Sequence, residues 1–218
     1  MLHHDVIRKC LSNGMEFDVV YDIGACSGNF SRLLKHNVLP NSQYYLFEAN
    51  IIYLPTLLDP QFNSFITVLS NEGREEVDFW AGLNTGDSYY KETTAIYDTM
   101  PVKKLKCTTL DKMITEKNLP IPNFLKIDTQ GSELDILSAA KQLMGKTEMI
   151  LCECPIIEYN KGAPKMSDYL EFFRSYDYVP VELVQIHRAE DTLLQIDLLY
   201  MLRSAKEQFL SKNEVIRV

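Results

Sequence analysis

Apolar and polar positions along this 218-residue chain follow two alternating periods. Short runs rich in β-branched and aromatic residues fall near 18–23, 43–48, 64–70, 123–128 and 147–154, and they predict strands. Between them, apolar residues recur at helical spacing near 28–36, 51–58, 110–118 and 131–144. An amphipathic helix opens the chain directly after Met1-Leu2-His3-His4. Such alternation predicts an α/β fold: a mostly parallel sheet with helices on both faces.

Two interruptions modify that picture. Residues 75–80 and 102–107 predict short strands, and the polar, tyrosine-bearing stretch from Asn84 to Tyr90 between them has no period. It predicts an inserted loop near 84–99, of the kind that serves as a mobile lid over a binding site. Near the end, strands at 178–186 and 195–202 joined by 187–194 predict a hairpin, which places one antiparallel strand at or near the sheet edge. With no repeat or linker in view, a single domain over residues 1–218 is expected.

Composition narrows the class. With 46% hydrophobic and 24% charged residues the chain reads as a soluble globular protein, and a net charge of −8 argues against a nucleic-acid partner. The short basic run Lys103-Lys104-Leu105-Lys106 lies on a predicted strand and reads as a solvated face. No apolar run reaches the ~18–20 residues of a membrane span and no signal-peptide pattern opens the chain, so a cytoplasmic location is expected. Cysteines at 10, 26, 107, 152 and 154 are odd in number and fit reduced thiols. Cys152 and Cys154 share one strand face without a partner pair at zinc-site spacing, so no metal is assigned.

The chemistry concentrates at strand ends. Asp22 closes the first strand, and Gly24 and Gly28 follow in a turn leading into a helix, where backbone N–H groups can approach a ligand. The spacing Gly24-x-x-x-Gly28 lacks the three glycines of a dinucleotide turn, and no Lys-Ser or Lys-Thr follows to cradle phosphates. A carboxylate here suits a ligand bearing an ammonium and a sulfonium better than one bearing phosphate. Glu48 ends the second strand about 20 residues on, where a carboxylate can accept from both hydroxyls of a ribose. Lys126 and Asp128 share one side of a later strand, with Asp128 at its carboxyl end, where open α/β sheets bind ligands. Lys126 is expected to neutralise a neighbouring acid.

Together, Asp-Ile-Gly-Ala-Cys-Ser-Gly, Phe-Glu-Ala-Asn, Thr-Leu-Asp at 109–111 and Lys-Ile-Asp-Thr-Gln-Gly-Ser-Glu resemble the FkbM-type methyltransferases, over about residues 18–203. The resemblance implies a seven-stranded class I fold and O-methylation with S-adenosylmethionine as cofactor. It implies that Asp22, Gly24 and Gly28, with Ala25, hold the methionyl end. Glu48, with Ala49, would hold the ribose, Ser70 and Asn71 would lie near the adenine, and Asp128 would border the cofactor. Cys26 stands where many members carry Asn, and it is given no role.

Methyl transfer to oxygen needs alignment of nucleophile and methyl, and a base for the hydroxyl proton. Asp128, Glu153 and His187 are the candidates; His3, His4 and His36 read as surface residues. The acceptor class implied by the resemblance is a small-molecule or glycan hydroxyl, on a sugar, glycan or secondary metabolite. Alternatives are an NAD-dependent oxidoreductase, which the glycine spacing disfavours, and a catalytically silent binding protein of the same fold. Oligomeric state and metal dependence stay open at this level, because Asp128 has no second identifiable ligand.

Overall fold

The computed structural model describes residues 3–82 and 86–210. Every side chain of β1 (Val19–Ile23) is buried, because both faces of its sheet are covered. Tyr21 and Ile23 turn to one face, and Val20 to the other, where Asp22 also points. The main sheet has seven strands, ordered β3 (Asn63–Ile66), β2 (Gln43–Glu48), β1, β7 (Phe124–Ile127), β8 (Met149–Pro155), β10 (Thr192–Leu202) and β9 (Tyr178–Ala189). All pairings are parallel except those of β10, which runs antiparallel to both β8 and β9. The expected hairpin is there, with its antiparallel strand one position in from the edge.

One face packs Tyr21, Phe47, Leu125, Cys152 and Tyr200 against α4 (Leu110–Lys117), α5 (Glu133–Ser138) and α6 (Met166–Ser175). The other packs Val20, Leu46, Phe124, Leu151 and Leu199 against α1 (His3–Ser12), α2 (Asn29–Asn37) and α3 (Leu54–Leu57). Cys152 and Cys154 lie buried in the first cluster as free thiols. α7 (Arg203–Leu210) follows β10. Among the described residues, no helix is long and apolar enough to cross a membrane.

Several elements depart from the periodicity for tertiary reasons. The run at 64–70 divides at Thr67: β3 stays in the main sheet, and β4 (Val68–Leu69) joins a three-stranded sheet with β6 (Val102–Thr108) and β5 (Glu76–Trp80). The helix expected over 51–58 is a 3₁₀ turn and one α-helical turn, stopped ahead of Pro60. The helix expected over 131–144 ends at Ser138, because Asp111 captures the next turn. Its Oδ1 accepts the Gln142 N–H at 3.0 Å, and its own N–H donates to Ala139 O. α6 went unpredicted, although Tyr169 and Phe173 stand one helical turn apart and are both buried.

Of the inserted loop, residues 83–85 lie outside the described residues. From Gly86 on, it is tied to the body. Ser88 bridges to Trp80, Glu92 bridges to Asn160, and Tyr97 is buried. The described part of the expected lid thus packs on the body. Lys103, Lys104 and Lys106 are exposed, as a solvated face requires.

Candidate active site

Gly24 lies in the left-handed region, and its N–H donates to Phe47 O at 2.9 Å. A Cβ built there would stand 1.8 Å from the Asp128 carbonyl oxygen, so only glycine lets the ends of β1, β2 and β7 converge. Gly28, also left-handed, caps α2. The convergence opens a cavity of about 330 Å³, within the range of about 300–1,000 Å³ common for small-molecule sites. Gly24, Ala25, Glu48, Ala49, Lys126 and Asp128 all line it.

Glu48 is set by backbone. Its Oε2 accepts the Cys26 N–H and its Oε1 the Asn50 N–H, each at 2.7 Å. Burial pushes its carboxyl up, and those N–H groups oppose the shift. Each oxygen keeps a further lone pair for a ligand hydroxyl. Cys26 thus contributes its amide.

Asp22 does not reach the cavity wall. It is buried beneath it, accepting from Ser31 Oγ at 2.7 Å and standing 3.4 Å from Lys126 Nζ. Lys126 lies 3.5 Å from Asp128 Oδ2 and donates to Gly24 O at 3.0 Å. One ammonium therefore joins the two acids and the glycine turn, the neutralising role expected of it. Ser70 and Asn71, expected near the adenine, do not line the cavity: Ser70 donates to Tyr89 OH, and Asn71 donates to Asp135 Oδ1. Tyr89, in the wall, donates to Asp135 Oδ2 at 3.1 Å beneath Arg74.

The Lys-Ile-Asp-Thr-Gln-Gly-Ser-Glu block forms one structural unit. Glu133, fully buried, accepts the Thr129 and Gly131 N–H groups and the Tyr169 hydroxyl, clamping the loop after β7. Within it Gln130, at positive φ, spreads its amide between two acids. Its Nε2 donates to Asp128 Oδ1 at 3.0 Å and to Glu153 Oε2 at 2.7 Å. Burial would raise Asp128, but Lys126 and Gln130 outweigh it and hold that carboxyl below its usual range. Glu153 is pushed the opposite way, well up, by burial and by the acids around it. Two adjacent carboxyl groups are thereby driven apart in acidity.

Among the three base candidates, only Asp128 lines the cavity. Glu153 is one amide away, and His187 stands beyond it, 3.0 Å from Asp197 Oδ1. His36 is exposed, but His3 and His4 are half-buried. His3 also reaches Asp197, with Nε2 2.9 Å from Oδ2. Asp197, Gln195, Phe79 and Tyr53 went unread in the sequence, since no local pattern brings them to this edge; Tyr89 belongs to the tyrosine-bearing stretch expected over the site.

This strand order with one reversed strand next to the edge, and a ligand cavity at the carboxyl ends of β1 and β2, defines the class I methyltransferase architecture. The sequence profile described as "Methyltransferase FkbM domain" matches residues 22–180, and the chain belongs to that family. It is a methyltransferase, and the oxidoreductase alternative falls away.

Solved structures share the fold. A magnesium protoporphyrin IX methyltransferase from Synechocystis PCC 6803 with bound SAM superposes at a TM-score of 0.52 and 8% identity, over 90% of this chain and 76% of that one. An O-methyltransferase from Bacillus cereus in complex with SAH gives 0.51 and 9%, over 91% and 80%. A methyltransferase FkbM from Methylobacillus flagellatus KT gives 0.49 and 18%, and the chain covers 45% of its length. No curated protein matches the chain.

Proposed function

We propose that this domain transfers a methyl group from S-adenosylmethionine to a hydroxyl of a sugar, glycan or secondary metabolite. The observation that carries the reading is a single cavity holding both the backbone-set carboxylate of Glu48 and the strand-end carboxylate of Asp128. When bound, S-adenosylmethionine supplies a methyl on a sulfonium, whose neutral thioether is a good leaving group. Glu48 would accept from the ribose hydroxyls. The turn at Gly24, Ala25 and Gly28 would hold the methionyl end, and Asp22 would act on it through Lys126. The apolar wall of Val68, Leu69, Phe79 and Ile136 offers the adenine a slot, which Ser70 and Asn71 support from behind.

At the other end, Asp128 accepts the acceptor hydroxyl's hydrogen bond and aims its oxygen at the methyl. The hydroxyl proton becomes strongly acidic as the new C–O bond forms. A carboxylate held low by Lys126 is then basic enough to take it late in the step. Glu153 and His187 stand behind Asp128 as supporting groups. A net charge of −8 supports a small or glycan acceptor over nucleic acid, and five free thiols fit a reducing cytoplasmic setting.

The test is Asp128→Asn, assayed with labelled S-adenosylmethionine on metabolite extracts. Turnover should fall about 100-fold or more with cofactor affinity and melting temperature little changed. Normal turnover would remove Asp128 from the chemistry, and no labelled product with the unmodified protein would favour a silent cofactor-binding domain.

A further inference from the structure

β8 and β10 pair so that Glu153 faces Asp197 directly across the strands, and both are buried, 7% and 8% exposed. Like charges in that position repel, and buried carboxylates persist when paired or bound to a cation. The nearby ammonium, Lys126, is occupied with Asp22 and Asp128. What faces the pair instead is imidazole. His187 Nε2, from β9, lies 3.0 Å from Asp197 Oδ1 and 4.0 Å from Glu153 Oε1, and the three ligand atoms lie within 4.8 Å of one another. From the helix on that face, His3 Nε2 holds the other Asp197 oxygen at 2.9 Å.

We propose that Glu153, His187 and Asp197 form a binding site for a divalent transition-metal ion, with His3 fixing the orientation of Asp197. Ligands about 2.0–2.1 Å from a zinc ion stand about 3.4 Å apart in a tetrahedron, and the observed separations bracket that value. One imidazole with two carboxylates suits zinc, manganese or ferrous ions better than calcium or magnesium. A single ring nitrogen directed at two carboxylates can hydrogen-bond to one of them, whereas a cation serves both. The donors sit on three adjacent strands, a rigid frame. The second oxygens are also held, Asp197 Oδ2 by His3 and Glu153 Oε2 by Gln130 and Gln195, as ligating carboxylates require. Through Gln130 the ion would lie two hydrogen bonds from Asp128. Glu153 lies within residues 22–180 but His187 and Asp197 fall outside them, so two of the three ligands are not part of the matched family segment.

The experiment uses the full chain without an affinity tag, stripped with a chelator and titrated by calorimetry with zinc chloride and, separately, manganese chloride. One ion per chain should bind, with a rise in melting temperature. Asp197→Asn and His187→Ala should each weaken binding at least 10-fold, and His3→Ala should weaken it less. Should either ligand variant melt before titration, His187→Gln and Glu153→Gln replace them. S-adenosylhomocysteine binding is measured alongside, so that failure of the metal site and failure of the methyl-transfer reading remain distinct. The proposal is overturned if neither ion binds the unmodified chain, or if Asp197→Asn binds as well as the unmodified chain does. In either case a proton on Glu153, and not a metal, relieves the carboxylate pair.

Discussion

Gly24 and Asp128 lie so close that the Cβ missing from the first would sit 1.8 Å from the carbonyl oxygen of the second. The oxygen belongs to backbone at the end of a central strand, so it has little room to yield. Gly24→Ala also places a side chain at φ +75. The two effects together should cost at least about 2 kcal/mol, read as a lower midpoint in urea denaturation. An unchanged midpoint would mean that β1 and β7 separate at this edge more readily than their pairing suggests.

Glu48 should matter for the ligand more than for the fold. Replacing it with Ala frees the Cys26 and Asn50 N–H groups and removes the hydroxyl acceptor. Calorimetry with S-adenosylhomocysteine should show binding weakened by about 1–3 kcal/mol. Equal affinity in Glu48→Ala would place the ribose elsewhere.

Lys126 is the cation between two acids, with its side chain 12% exposed. Lys126→Met leaves Asp22 buried without its partner, and the expected loss is about 3–5 kcal/mol of stability. Adding Asp22→Asn should restore part of it, because the stranded charge is then gone. A double variant no more stable than the single one would assign the loss to the Gly24 contact instead.

Glu133 gives a pH test. Burial raises its carboxyl, while the Tyr169 hydroxyl stabilises the charged form. Since its folded value lies above the usual 4.5, its ionisation costs stability at neutral pH, and the cost is lifted as pH falls through the folded value. Tyr169→Phe removes a donor to the charged form. It should therefore destabilise most at neutral pH, with the deficit shrinking as pH falls toward 4.5. Melting curves over that range check it; a constant deficit would make Tyr169 a packing residue alone.

What was legible in the sequence was what is local. Glycines and acids within a few residues of a strand end announce the turn at 22–28, and the Lys-Ile-Asp-Thr-Gln-Gly-Ser-Glu block that carries the family resemblance is eight consecutive residues. The Glu133 clamp inside it was not legible, because one of its donors is the distant Tyr169. That Lys126 would neutralise an acid was legible because a buried charge demands a partner, but the pairing with Asp22 comes from the register of β1 and β7. The split at Thr67 was hidden, because whether a strand continues in one sheet or crosses to another depends on β6, about 40 residues on. The shortened α5 was hidden for the same reason, since Asp111 competes for its last turn from another helix. His3 illustrates the limit most clearly. Nothing near residue 3 foretells a carboxylate at 197, and only the pairing of β8, β10 and β9 beneath α1 brings them together.

The position of β10 separates the stretch by which this family is recognised from the unit that folds. Residues 22–180 omit the strand lying between β8 and β9, and the helix whose Val6, Ile7 and Cys10 are almost wholly covered. Cut to those limits, the polypeptide would present the open edge of β8 and an uncovered apolar face, both invitations to self-association. Expression of that excerpt should yield aggregates, so boundaries for any excised version belong before α1 and beyond β10.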